Sequence, residues 1–106
     1  MFARNVSMHL KPNSLAEFTQ TVEKEVIPFL RKQKGFQDEI TFAIPGGTDV
    51  IGISLWDTKE NAETYSTAGY PEMLKSLSKV LDGNPKVRTS DVVNSTFHKI
   101  AAPVAA

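Results

Sequence analysis

Asn5 combines a suitable side chain with a suitable setting for chemistry. A carboxamide offers both a donor and an acceptor, so it can hold a substrate oxygen as negative charge develops there. Ser7 lies two residues further on, and Gly52 and Ser54 are small residues set between bulky ones, which together can leave a hollow for a ligand or can merely let a helix pack closely on the sheet, with Asn5 bonded to backbone. Trp56, Tyr65 and Tyr70 add an indole N–H and two phenols that can reach a ligand; Trp56 can equally only close the core, and the tyrosines can be ordinary surface aromatics. His9 and His98 are the only histidines. Histidine has the pKa a general base needs without tuning, though His98, near the end of the chain, fits an interface equally well. No His-x-His or Glu-x-x-His spacing occurs and there is no cysteine, so no metal site is expected and thiol chemistry is excluded.

The elements that must position these groups follow from hydrophobic periodicity. Phe2 to Leu10 alternates, with Phe2, Arg4, Val6, Met8 and Leu10 on one face and Ala3, Asn5, Ser7 and His9 on the other, which predicts a strand. Ser14 and Glu17 have capping-box spacing ahead of a helix whose apolar stripe is Leu15, Phe18, Val22, Val26, Phe29 and Leu30; Pro28 predicts a kink or a short tightening and Gly35 the stop. Phe36 to Ile44 and Val50 to Trp56 form a hairpin around Pro45-Gly46-Gly47-Thr48. Asp57-Thr58 caps a short helix to about Ser66, a break follows at Ala68-Gly69, and Pro71 opens a further helix carrying Met73, Leu74, Leu77, Val80 and Leu81. A last strand is expected from Val87 to Ile100. The charged runs at Glu23-Lys24-Glu25 and Arg31-Lys32-Gln33-Lys34 suit solvated helix surfaces.

This order, β-α-β-β-α-β, predicts an α+β ferredoxin-like fold with a four-stranded antiparallel sheet and both helical layers on one face. The chain of 106 residues is 41% hydrophobic, enough for one domain over residues 1–100 with a flexible tail at 101–106. Twelve Lys plus Arg balance twelve Asp plus Glu, so no charge block invites nucleic acid. No apolar run approaches the roughly 20 residues of a membrane helix, and no secretory leader is visible, so a cytoplasmic protein is expected. Phe2, Val6, Met8, Leu10, Phe36, Ile40, Phe42 and Ile44 are more large apolar residues than one helix-covered face needs, and an over-long last strand suits exchange between chains. Both features predict a homodimer.

With these elements in place, the sequence resembles the dimeric α+β barrel superfamily, and within it the antibiotic biosynthesis monooxygenase-like group. The resemblance spans roughly residues 1–100 and rests on the strand Phe2-Ala3-Arg4-Asn5-Val6, on Gly35-Phe36 after the first helix, and on the segment from Leu55-Trp56-Asp57-Thr58 to Tyr65. It implies that Asn5 stands near a bound substrate or haem and that Tyr65 falls where haem-degrading members carry a Trp pressing on the haem ring. The helical position where haem-degrading members carry their axial His falls near Lys75, so the resemblance implies a small organic substrate rather than haem. The expected activity is therefore a cofactor-independent monooxygenase acting on a small aromatic or quinol-type molecule, with Asn5, Tyr65 and His98 in catalysis and Trp56, Ser7, Gly52, Ser54 and Tyr70 around the substrate. A non-catalytic small-molecule binder and a proton-transfer isomerase on the same fold are the alternatives.

Overall fold

The computed structural model describes residues 1–100. Four strands, β1 (Phe2–His9), β2 (Phe36–Ala43), β3 (Asp49–Trp56) and β4 (Lys86–Asp91), form one sheet in the order β2-β3-β1-β4, and every pairing is antiparallel. One face is covered by α1 (Leu15–Thr21) and α2 (Ile27–Arg31), joined by a π-helical turn at Val22–Val26, and by α3 (Lys59–Ala68) and α4 (Tyr70–Leu77). This is the α+β ferredoxin-like fold that the element order predicts.

The local chemistry of the elements is mostly as anticipated. Thr58 caps α3, its hydroxyl accepting the Asn61 backbone N–H at 3.2 Å, and Pro71 occupies the first turn of α4, where its missing N–H costs nothing. The helix containing Pro28 departs from expectation. Instead of a kink at the proline, the preceding turn widens so that the Ile27 N–H bonds the Val22 carbonyl, which accommodates a residue that cannot donate. The capping box at Ser14 does not form. Asn13 adopts a left-handed φ of 60° and Ser14 a near-helical one, so the Ser14 hydroxyl turns back to the Pro12 carbonyl rather than capping α1.

Antiparallel pairing settles which side chains share a face. Arg4 stands opposite Ser54, and Ser54 opposite Glu39; Val6, Gly52 and Thr41 form the next row. These rows face the helices. A bulge between Phe36 and Asp38 reverses the alternation of β2 after Phe36. Phe36 therefore joins Trp56 under the helices, with ring centroids 5.6 Å apart, while Ile40 and Phe42 turn to the other face. That outer face also carries Ile51, Ile53 and Leu55, and Ile40 and Phe42 are 54% and 48% exposed on it.

β4 ends at Asp91, not at Ile100. Its only neighbour is β1, and β1 begins at Phe2, paired with Asp91; after Val92 donates to the Met1 carbonyl there is no strand left to pair with. The expected tail at 101–106 lies outside the described residues.

The core is in two parts. Leu10, Phe18, Val22, Val50, Leu77, Val80 and Leu81 pack at one end, and Phe2, Leu30, Trp56, Ala62 and Tyr65 at the other. Phe2 and Leu10 belong to different parts although they share a face of one strand run, and Arg4 lies between them.

Candidate functional site

Between the two parts of the core the helices stand off the sheet, leaving a cavity that is partly open to solvent. Val6, Val22, Val26, Met73 and Leu74 supply apolar walls, and the polar groups are few: Arg4, Ser54, Glu39, Thr41, Tyr65 and Tyr70. The small side chains of β3 create the room. The Glu39 carboxyl lies over Gly52: a Cβ built there would meet Oε2 at 3.5 Å, in ordinary van der Waals contact.

Arg4 is 3% exposed, and its guanidinium lies 4.4 Å from the Tyr70 ring centre and 5.2 Å from that of Tyr65. It donates to Ser66 Oγ at 3.4 Å. Burial lowers its pKa, opposed by the two tyrosines, but a guanidinium remains charged at any physiological pH. Tyr65 is buried and its pKa is pushed up to about 12, burial outweighing the pull of Arg4; Tyr70 is raised for the same reason. Both are therefore phenols, not phenolates. Behind Tyr65, Trp56 is fully buried and donates its indole N–H to Ser54 Oγ at 2.9 Å. Across the cavity, burial raises the Glu39 carboxyl above its usual range, partly offset by the Thr41 hydroxyl donating to it at 2.7 Å. That places a group able to exchange a proton opposite a group able to hold an anion.

Of the residues singled out from sequence, Gly52, Ser54, Tyr65 and Tyr70 converge on this cavity, and Trp56 backs it. Asn5 and Ser7 do not. They pair with Ile53 and Ile51 and lie on the outer face of the sheet, because the bulky Phe2, Val6, Met8 and Leu10 claim the side toward the helices and alternation sends the small residues away. His98 is also remote from the cavity: its Nε2 meets Asp38 Oδ2 on β2. His9 is an exposed partner of Asp49 at 2.8 Å. Arg4 and Glu39 were not anticipated. Arg4 carried a signal, being a charge in phase with an apolar stripe; Glu39 carried none, since only the bulge at Gln37 turns it inward. No group of three or more His, Asp or Glu able to hold a metal ion occurs among the described residues.

No family model and no curated protein matches the sequence. Solved structures do match its fold. A monooxygenase from the gene ActVA-Orf6 of Streptomyces coelicolor, in complex with nanaomycin D, superposes with a TM-score of 0.76 at 19% identity, covering 92% of both chains. SnoaB, a cofactor-independent oxygenase from Streptomyces nogalater, gives 0.74 at 11% identity over 92% of this chain and 97% of its own. A protein of unknown function from Nitrosomonas europaea gives 0.76 at 11% identity over 92% and 94%. The chain thus has the fold of the antibiotic biosynthesis monooxygenase-like proteins.

Proposed function

We propose that the protein is a cofactor-independent monooxygenase acting, as a homodimer, on a small aromatic or quinol-type molecule in the cavity between sheet and helices. The observation that carries this reading is the apolar cavity with a buried guanidinium on one wall and a carboxyl of raised pKa on the other. The fold shared with two proteins described as oxygenases supports it.

A phenol or enol bound with its hydroxyl toward Glu39 is easier to ionise, because the Arg4 guanidinium facing the same space favours the anion. Glu39 accepts the proton through its carboxylate form. The resulting anion passes one electron to O2, and the radical pair recombines at a ring carbon. For an anthrone-type CH2, one oxygen atom remains as the new carbonyl and the other leaves as water with the two hydrogens. Tyr65 and Tyr70 contribute ring faces and phenol donors, and the apolar walls keep out water. Asn5 and Ser7 are assigned to the dimer interface with Ile40, Phe42, Ile53 and Leu55, an outer face that a second copy would cover.

Oxygen uptake with anthrones, naphthols and quinols tests the reading. Wild type is expected to consume O2 with at least one class, and Arg4→Met to slow that reaction at least tenfold. Binding without uptake across the panel would replace the oxygenase by a binder. The Arg4–Glu39 arrangement also favours a second reading, proton transfer between carbons; its mark would be deuterium entering a bound substrate with no oxygen consumed.

A further inference from the structure

Arg4 is a full charge with no counter-ion among the described residues. No carboxylate lies within 4 Å of it among the described residues, where the ion pairs are His9–Asp49, Lys59–Glu63 and His98–Asp38. Among the described residues the guanidinium meets neutral groups, two tyrosine rings and the Ser66 hydroxyl. Glu39 shares its row of the sheet but stands two strands away, about 10 Å from backbone to backbone, with its Oε2 held by Thr41 over Gly52. The cation and the acid thus face one cavity without pairing.

A charge this buried is costly unless an anion meets it, and contact with aromatic faces offsets only part of that cost. A guanidinium presents five N–H donors in a planar fork matched to a carboxylate, and Ser66 takes one. Beyond the fork the walls are aliphatic, from Val6, Val22, Val26 and Met73. We propose that the natural ligand of this cavity is a small aromatic carboxylate, its carboxylate accepting hydrogen bonds from Arg4 and its ring lying against these apolar walls. Resting on the reading that the cavity binds a small aromatic molecule, this adds a fixed negative charge as the feature by which the ligand is chosen. Glu39, the other charged group facing the space, sets the orientation: it repels the carboxylate from its own wall and leaves room there for a hydroxyl or a ring edge.

Calorimetric titration at pH 7 with 2-naphthoate and its neutral isostere 2-naphthamide separates charge from shape. Wild type is expected to prefer the naphthoate at least tenfold, and Arg4→Met to bring the two affinities within about twofold while retaining the naphthamide. Equal affinities in the wild type, or a preference that survives Arg4→Met, would overturn the carboxylate inference and leave an aromatic site standing. Binding of neither compound by the wild type would overturn the site itself. Should Arg4→Met fail to fold, the wild-type preference between the two compounds decides.

Discussion

Trp56 and Tyr65 stack with ring centroids 4.9 Å apart and planes 26° from parallel, so the floor of the cavity is a pair of rings locked between sheet and helix. Tyr65 is buried, and Phe29 and Tyr70 pack tilted against its other sides. Truncation to Tyr65→Ala is expected to cost about 3–5 kcal/mol, the range for emptying an aromatic core position. Tyr65→Phe keeps the stack and should stay within about 1 kcal/mol of wild type. Urea unfolding followed by the fluorescence of Trp56, the sole tryptophan, measures both; an equally large loss in Tyr65→Phe would mean that the hydroxyl, and not the ring, holds the site.

The phenol of Tyr65 predicts an alkaline limit. Its pKa is about 12 in the folded protein against 10.0 ordinarily, so between these values the folded chain keeps a proton the unfolded chain loses. Stability should therefore fall as pH rises from 10 toward 12. In the absorbance of tyrosinate near 295 nm, ionisation is expected near pH 10 only after unfolding in denaturant; a folded protein titrating there would show the ring to be solvated.

Glu39 predicts the same sign at lower pH. Its folded pKa lies above the ordinary 4.5, so the folded state binds the proton more tightly and stability declines once pH passes 4.5. Glu39→Gln removes that penalty. Its melting temperature should exceed that of wild type by a few degrees at pH 7 and match it at pH 4, as thermal scans at the two values will reveal. A variant less stable than wild type at pH 7 would mean that the carboxylate has a favourable partner.

Association through the outer face can be tested apart from activity. Phe42→Asp places a charge among Ile40, Ile51 and Ile53, and on the dimer reading it should yield monomers by light scattering at concentrations where wild type is dimeric. A monomeric wild type at micromolar concentration would remove the homodimer and leave the cavity unaffected.

Fold and site were legible to different depths. Element order and the break at Gly69 could be read because periodicity, Pro71 and Thr58 each signal locally. So could the place of Gly52 and Ser54, small residues between Val50 and Trp56, at the cavity wall. What could not be read was relational. Asn5 looked poised for the cavity because its neighbours are small, yet the room comes from β3 alone, and β1 presents Val6 to Gly52 and Arg4 to Ser54. The inward turn of Glu39 could not be read because one extra residue in β2 is invisible until the strand is paired. The end of β4 was likewise fixed by where its neighbour starts.

The two-part core described above has a thermodynamic corollary. A hydrophobic interior interrupted by a charged row is an interior lacking one occupant, and a molecule that fills the gap joins Phe18, Val22 and Tyr65 as though it were a missing side chain. Whatever binds there binds only the folded chain, so a ligand at a hundred times its dissociation constant adds about 2.7 kcal/mol to folding. For a domain of this size that displaces the melting transition by roughly 10–20 °C. Heat alone, applied to the protein beside a library of metabolites, can thus name the occupant before any reaction is known.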